Sequence, residues 1–379
     1  MDRRSFLAGA AVGGVAGAGA VGAYMGSRPA KIVEVEKIVE VAAPAITTGN
    51  RTLTMVTAWG RGLAGVFDAA QHVADQITAM SDGTLTIEIK AAGELVGALE
   101  VFDAVSSGQA DMYHAADYYF VGQHPGFAFF TSVPFGMTAQ ELQNWYLHGD
   151  GAKYHDQLGE VFNLKSFLAG NTGAQAGGWF RNEINVPEDF NGLKFRMPGL
   201  GGQALGKLGA SVQNLPGSEV YQALASGALD GTEWIGPWAD EVAGFQEITK
   251  IYYTAGFHEP GAALSLATNR DVFNELSTAH QTIIENASAA THQWSLAQFL
   301  NNNGAALQRL VSEGVQVKEF NDSIWDAFGA ASAEVLDGYM DDALFAEMRA
   351  NYNASMKASS AWIDKSESAY RAQRDRVIG

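Results

Sequence analysis

The sequence predicts an α/β protein with two domains, a cleft between the domains and a long helical C-terminal extension. Strand and helix patterns alternate from residue 52, and the alternation resumes after a glycine-rich loop at residues 170–178. From about residue 321 to residue 379, the spacing of apolar residues is typical of helices almost throughout. With 379 residues and 47% hydrophobic content, the chain has enough apolar material for two domains of ordinary size.

The first half of the chain predicts three strands separated by helices. Residues 52–58 (TLTMVTA) and 84–90 (TLTIEIK) have the composition of strands, and the second of them alternates cleanly. Between them, residues 61–80 carry apolar residues at helical spacing, and a helix over 98–107 precedes a strand at 111–115. This order indicates a largely parallel sheet, whose ligands lie at the carboxyl ends of the strands.

The middle of the chain repeats this pattern. A strand at residues 164–169 enters the glycine-rich loop, and Ser277 is the predicted N-cap of a long helix that runs into the 290s. Further strands are predicted at residues 193–197, 212–215, 231–234, 251–254 and 262–268.

These patterns set the expected domain limits. The first α/β domain comprises residues 50–171 plus 261–318, and the second comprises residues 172–260. The helical region at 319–379 is too long to bury its apolar faces on one small sheet, so it either straps the domains together or packs against a second subunit. Two halves joined by more than one crossing strand, with a glycine loop at the crossing, indicate a cleft that closes on a ligand.

Residues 1–42 carry the pattern of an export signal. Arg3 and Arg4 precede a weakly apolar run of Ala, Gly and Val that ends near Tyr24, as in a twin-arginine signal. No Ala-x-Ala cleavage site follows directly, and a duplicated Lys-Ile-Val-Glu-Val segment comes next, so an uncleaved anchor with a short stalk is the alternative. We therefore expect a periplasmic protein that is either released or held at the membrane by its N-terminus.

The formal net charge of −18 limits the partners of this protein. It argues against nucleic acid or an anionic membrane as the partner. Because it also repels small anions, an anion-binding site must create its own local positive potential. The sequence has no cysteine, which excludes disulfides and thiolate zinc sites.

Residues 192–234 contain the most informative motif. Arg196 lies just before a Pro-Gly turn, and its guanidinium is suited to hold a carboxylate through two hydrogen bonds. Glu233, beside Trp234, would repel that carboxylate unless a metal ion lies between the two. Carboxylate, amide and backbone oxygens suit sodium or calcium, whereas a metal that prefers imidazole does not fit an all-oxygen site.

Other functional classes find less support. The glycines that follow Arg196 do not have the G-x-G-x-x-G spacing of a nucleotide site, and the sequence has no G-x-S-x-G or H-E-x-x-H motif. The histidines, His258 among them, show no metal-ligand spacing. Two alternatives stay open: a periplasmic metal-dependent enzyme that acts on 2-oxo acids with Glu233 as its base, and an envelope assembly module that binds no small molecule.

Three segments resemble the solute-binding proteins of tripartite ATP-independent periplasmic (TRAP) transporters, the DctP family. They are ALEVFDAVSSGQADM, VPEDFNGLKFRMPG and GSEVYQALASGALDGTEW, and the resemblance covers roughly residues 52–320. The loop 170–175 together with Thr232-Glu233-Trp234 is similar to the branch that binds 2-oxo acids and lactate. The resemblance implies a periplasmic-binding-protein-like fold and a receptor, not an enzyme.

The resemblance also implies roles for individual residues. Arg196 would bind the ligand carboxylate, and sodium or calcium would bridge protein and ligand. Gln175, Glu233 and the backbone oxygen of Trp234 would hold that metal ion, with Glu259 as a weaker candidate. The further candidates for ligand contact, which lie in the loop 170–175 or at predicted strand ends, are Asn171, Tyr118, Tyr119, Trp59, Trp234 and Phe257.

Each of these residues has a structural alternative. Arg196 and Glu233 could form an ion pair with no ligand, Gln175 could be a turn residue, and the aromatic side chains could be core. The resemblance further implies TRAP permease subunits as membrane partners. Because that branch includes helix-swapped dimers as well as monomers, a homodimer built on the C-terminal helices is a further expectation.

Overall fold

The computed structural model describes residues 50–379, so the predicted signal or anchor at residues 1–42 lies outside the described residues. The described chain forms two mixed sheets. The first sheet has five strands, which are, in spatial order, β2 (Leu85–Lys90), β1 (Arg51–Thr57), β3 (Met112–Ala115), β10 (Ala263–Asn269) and β4 (Leu164–Asn171).

The prediction of a largely parallel sheet is correct only for the first three strands. Strand β1 pairs in parallel with β2 and β3, but β10 is antiparallel to both β3 and β4. The reason lies in the chain path. Strand β4 leaves this sheet at Asn171, and β10 returns at Ala263, which pairs directly with Asn171. The two crossing strands therefore lie side by side and run in opposite directions.

The second sheet has six strands. In spatial order they are β11 (Gln316–Lys318), β9 (Ile251–Tyr253), β5 (Gly178–Phe180), β8 (Gly231–Thr232), β6 (Lys194–Arg196) and β7 (Ser211–Gln213). Strand β11 pairs in parallel with β9. The predicted first domain, which ran to residue 318, therefore includes one strand that belongs to the second sheet; the sequence pattern there had not indicated a strand.

Helices cover both sheets and form the C-terminal region. Their bounds are α1 Val66–Met80, α2 Val101–Ser106, α3 Ala139–His148, α4 Gly151–Val161, α5 Gly199–Lys207, α6 Gly217–Ser226, α7 Pro237–Ala243, α8 Arg270–Glu275, α9 Thr278–Ser312, α10 Asp322–Asp337, α11 Ala343–Ile363 and α12 Ala369–Ile378. None of the helices between residues 50 and 379 combines the length and the apolar character that a membrane span requires.

The long helix α9 connects the two sheets. Ser277 is its N-cap, as predicted, because its hydroxyl accepts a hydrogen bond from His280 N at 3.2 Å. With 35 residues, the helix extends over about 50 Å. It packs against α1 and β4 on the side of the first sheet and against α7 on the side of the second.

The C-terminal helices contact both halves of the molecule. Helix α10 packs against α5, which follows β6 of the second sheet, whereas α11 packs against α3 near the first sheet. Tyr339, between α10 and α11, donates a hydrogen bond to Gln203 of α5 at 2.8 Å. On the other side, Trp145 of α3 donates to Asn351 of α11 at 2.7 Å. The predicted strap across the two halves is thus present within one chain.

The buried Tyr352 joins helix α11 to the backbone at Met137 through its hydroxyl, and the contribution of this hydrogen bond to stability can be tested. Tyr352 accepts a hydrogen bond from Met137 N at 2.6 Å and packs between Phe129 and Trp145. Tyr352→Phe leaves that buried N–H without a partner, so we expect a loss of about 1–3 kcal/mol in the free energy of unfolding, measured by denaturant titration. The matched control is Tyr370→Phe, since Tyr370 is 66% exposed. Equal stability of the two variants would contradict this role.

Candidate functional site

The candidate side chains lie at, or a few residues beyond, the carboxyl ends of strands. Arg196 and Asn171 are the last residues of β6 and β4, and Glu233 follows β8 directly. Since the crossing pair β4–β10 brings the two sheets together, residues from both sheets meet at one place. They surround a cavity of about 20 Å³, which is lined by Trp59, Val66, Ala116, Tyr118, Tyr119, Thr131, Thr172, Gln175, Trp234, Ile235, Glu259, Ala262 and Leu264.

Six of the ten predicted site residues therefore line one cavity. Its volume corresponds to about one water molecule. Aromatic side chains form much of the wall: Tyr118 and Tyr119 are stacked at 4.9 Å, and Trp59 lies 6.0 Å from Tyr119. Trp59 is fixed by its indole N–H, which donates to His114 Nδ1 at 2.8 Å. The cavity is too small for an organic acid, so it has to widen before one can enter.

Arg196 is the central cation of the site. It is only 1% exposed, and its Nη1 pairs with Glu233 Oε1. Its Nε donates to Leu215 O at 3.2 Å, and its guanidinium lies 5.3 Å from the centre of the Trp234 ring. Among the described residues, its Nη2 has no hydrogen-bond partner. Burial lowers the pKa of Arg196, but Glu233, Tyr119 and Tyr118 together more than offset this, so its pKa is raised overall and the group stays charged.

The structural alternative for Arg196 and Glu233 is thus partly correct, because the two residues do form an ion pair. However, each group has an atom that takes no part in the pair, namely Arg196 Nη2 and Glu233 Oε2. Glu233 is fully buried, and its Oε2 accepts no hydrogen bond within the described chain. A buried polar atom without a partner is costly, and it marks a position where a ligand or an ion can bind.

A second buried carboxylate lies beside this pair. Glu259 is 2% exposed, and neither of its carboxylate oxygens accepts a hydrogen bond from the residues described. Its pKa is raised to about 7 overall, because burial and the nearby Glu233 carboxylate raise it more than His258 and Arg196 lower it. Atoms of Glu233, His258 and Glu259 that could bind a metal all lie within 4.8 Å of one another.

Gln175 completes a set of oxygen atoms that fits a hard cation. Its Nε2 donates to Thr172 Oγ1 at 3.0 Å, while its Oε1 is buried and accepts no hydrogen bond from residues 50–379. Its backbone N donates to Glu259 O at 2.9 Å, and its backbone O accepts from Gly256 N at 2.9 Å. The loops that carry Gln175 and Glu259 are therefore joined. Their amide and carboxylate oxygens are of the type that sodium and calcium prefer.

Asp240 holds the segment that carries Glu233 and Trp234. Its Oδ1 accepts hydrogen bonds from Ile235 N and Gly236 N, both at 3.0 Å, and its Oδ2 accepts from Trp179 and Tyr252 at 3.0 Å. The pKa of Asp240 is raised to about 7 overall, because burial raises it more than these four donors lower it. Asp240 thus fixes the backbone that directly follows Glu233 and Trp234.

Four predicted residues are absent from the cavity lining: Arg196 and Glu233, which form the buried ion pair, and Asn171 and Phe257. The Asn171 side chain is buried, but its Oδ1 accepts from Gly173 N at 2.7 Å and so stabilises the turn after β4. Phe257 stacks on Phe328 at 4.0 Å, so it packs the loop against α10. Asn171 therefore has a role in the turn, and Phe257 has a role in packing. Direct ligand contact by either one is only an expectation from the motif.

Sequence analysis did not assign His258 to the site. We expected no metal site from the histidines because their spacing is irregular, yet His258 lies within the carboxylate cluster. The only signal in the sequence was its place next to Glu259 in the segment Gly256-Phe-His-Glu-Pro. Adjacency in the loop places the imidazole beside Glu259, and tertiary packing brings Glu233 close to both.

Comparison with known proteins agrees with this arrangement. The family model for bacterial extracellular solute-binding proteins of family 7, DctP, matches residues 63–342. A monocarboxylate 2-oxoacid-binding periplasmic protein from a Nostoc species is 39% identical over 317 residues, covering 83% of this chain and 87% of that protein.

Two solved structures of TRAP periplasmic solute-binding proteins are also similar. The protein from Pseudoalteromonas atlantica, with bound sodium and pyruvate, is 36% identical, with a TM-score of 0.82 over 85% of this chain and 99% of its own. The protein from Colwellia psychrerythraea, with bound calcium and pyruvate, is 36% identical, with a TM-score of 0.83 over 86% and 99%. These matches confirm the predicted two-domain fold with its helical C-terminal region, and the chain belongs to the DctP family of bacterial extracellular solute-binding proteins.

Proposed function

We propose that this protein is the extracytoplasmic receptor of a TRAP transporter and that it binds a small monocarboxylate, such as pyruvate or lactate, together with sodium or calcium. One observation carries the proposal: a buried arginine adjoins two buried carboxylates, and each has a donor or oxygen that no residue in 50–379 pairs with. The related proteins that bind pyruvate hold it together with sodium or calcium, which supports the same ligand class here.

The charges of the site explain why a cation is required. A ligand carboxylate would pair with Arg196, which adds a third carboxylate beside Glu233 and Glu259. Like charges at such short range in a poorly hydrated site are strongly unfavourable. A sodium or calcium ion held by Gln175, Glu233, Glu259 and the backbone oxygen of Trp234 would remove this repulsion. A 2-oxo or 2-hydroxy acid offers two further oxygens to the same ion.

The Arg196–Glu233 ion pair makes the two binding events dependent on each other. A cation that binds Glu233 takes it from Arg196, and a carboxylate that binds Arg196 takes it from Glu233. Either partner alone therefore leaves a buried charge without its counterion, whereas the two together satisfy both residues. The consequence is positive coupling between cation and acid, which must be reciprocal.

The other two readings explain these features less well. An enzyme that uses Glu233 as a base would need this carboxylate to be free, but it is paired with Arg196. An assembly module that binds no small molecule would have no reason to bury unpaired charges at the junction of two sheets. Turnover of pyruvate by the purified protein would restore the enzyme reading.

We also propose the cellular setting that the family implies. The receptor would be exported through its twin-arginine sequence and would deliver its ligand to TRAP permease subunits in the membrane. A homodimer through the C-terminal helices is supported by exposed apolar side chains there, among them Trp362 and Ile378, which are 71% and 77% exposed. Sedimentation velocity of the full chain tests the dimer, and a monomer at micromolar concentration would exclude it.

A thermal-shift panel of carboxylic acids tests the function. With sodium or calcium present, pyruvate or lactate should raise the melting temperature, since a ligand at about 100 times its Kd contributes about 2.7 kcal/mol. Acetate has no oxo or hydroxyl oxygen on its second carbon to bind the cation, so it should give a much smaller shift. Failure of every 2-oxo and 2-hydroxy acid with both cations would overturn the proposal.

Arg196→Lys tests the carboxylate contact. Lysine keeps the positive charge beside Glu233 but loses the planar fork that binds a carboxylate. We expect the affinity for pyruvate to fall by about 10- to 100-fold, which is the contribution of one hydrogen bond to a charged group. Calorimetric titration in the presence of calcium measures it.

The matched control for this variant is Lys194→Ala, at an exposed position of the same strand. It should bind as the wild type does. If Arg196→Lys also keeps an affinity within about twofold of wild type, the ligand carboxylate binds elsewhere.

Glu259→Gln tests whether the charge of Glu259 destabilises the folded protein when no cation is bound. A carboxyl group whose pKa rises from 4.5 to about 7 on folding destabilises the folded state as pH rises through that range. In sodium-free buffer with a chelator, the variant should be more stable than wild type at pH 8, by up to about 3 kcal/mol, and nearly equal at pH 5.

Denaturant titration at the two pH values measures this difference, and the exposed Glu319→Gln provides the control. The same Glu259 variant should bind sodium and calcium weakly. A variant that is less stable than wild type at pH 8 would show that Glu259 is not under electrostatic strain.

A further inference from the structure

His258 lies in the loop that follows strand β9, and its imidazole is almost completely buried, with 2% exposure. Within the described part of the chain, neither Nδ1 nor Nε2 takes part in a hydrogen bond. Burial of a polar ring without partners is unfavourable. The position therefore requires a ligand for the imidazole in some state of the protein.

The imidazole is aimed at the carboxylate cluster. Its Nε2 lies 3.5 Å from Glu233 Oε2 and 4.0 Å from Glu259 Oε1. Both separations are longer than a hydrogen bond. Two ligands of one cation, each about 2.0–2.5 Å from it, can be separated by up to about 5 Å. The three side chains are thus spaced as ligands of one ion rather than as hydrogen-bond partners.

Close packing holds the ring in this place. A Cβ atom at Gly256 would lie 2.5 Å from His258 Cε1, and one at Gly201 would lie 2.6 Å from His258 Cβ. Glycine at both positions therefore gives the histidine its space. On the other side, its neighbour Phe257 is fixed by the stack on Phe328. The imidazole cannot turn far from the cluster while the site is closed.

We propose that His258 Nε2 is a direct ligand of the cation, so that the site has a mixed imidazole and carboxylate character. On this basis the site accepts a divalent cation of borderline softness, such as cobalt or zinc, together with the 2-oxo acid, in addition to sodium and calcium. The inference rests on the proposed function and extends it to the identity of the cation.

Ligand chemistry gives the reason for this selectivity. Sodium and calcium prefer oxygen, and they gain little from an imidazole nitrogen. Cobalt and zinc bind imidazole well, and their affinity for mixed nitrogen and oxygen sites exceeds that of manganese. The sequence-based exclusion of metals that prefer imidazole assumed an all-oxygen site, and His258 removes that assumption.

The test uses tag-free protein in sodium- and calcium-free buffer, with cobalt(II) as the probe and pyruvate present. Proton NMR in water should show a strongly displaced, exchangeable signal from the N–H of a cobalt-bound imidazole, and this signal should vanish in deuterium oxide. The signal should be lost in His258→Gln. It should be kept in His148→Gln, since His148 is exposed at the C-terminal end of α3.

Calorimetry on the same proteins gives the second readout. Glutamine offers an oxygen in place of the nitrogen, so His258→Gln should lower the affinity for cobalt at least about tenfold and change that for calcium less than about threefold. An equal loss for both cations would overturn the proposal and make His258 a residue that positions the carboxylates. Absence of the displaced signal in the wild type would also overturn it.

Calcium-dependent binding of pyruvate to the wild type separates the two proposals. If that binding occurs without a histidine-bound cobalt signal, only the role of His258 is wrong. If pyruvate does not bind with any of these cations, the proposed function fails as well.

Discussion

The ion pair between Arg196 and Glu233 is the interaction on which the site depends. Both side chains are almost completely buried, and each keeps one atom that has no hydrogen-bond partner in the described part of the chain. A buried pair of this kind contributes little to net stability, because desolvation offsets its attraction. The pair matters for binding because Arg196 and Glu233 can exchange partners at the same time. A cation for the glutamate and a carboxylate for the arginine turn one internal pair into a bound complex with balanced charges.

The fold supplies the rigidity that this exchange needs. Strands β4 and β10 cross between the two sheets side by side, and the loops after β4 and β9 are joined through the backbone of Gln175. Helix α9 and the C-terminal helices pack against both halves. Between these two halves lies a cavity of about 20 Å³, which has to widen for a small acid to enter.

Much of this arrangement was predictable from the sequence, because its signals are local. Alternation over residues 84–90 predicted strand β2, and Ser277 was predicted as a cap. The motifs around Arg196 and Trp234 predicted residues that the structure brings together as the Arg196–Glu233 pair, and their role in ligand binding stays a prediction. Strand β11 was missed because three residues carry no usable period, and the direction of β10 was missed because pairing partners lie far apart in sequence. His258 was missed because only tertiary packing brings Glu233 close to the adjacent residues His258 and Glu259.

The most direct test is the linkage between cation and acid. Calorimetric titration of pyruvate, repeated over a range of sodium or calcium concentrations, measures the coupling, and titration of the cation over a range of pyruvate concentrations measures it in reverse. The exchange of partners at Arg196 and Glu233 predicts that each ligand raises the affinity for the other by the same factor, within about 5- to 150-fold. A pyruvate affinity that does not change between chelated and cation-saturated protein would contradict it.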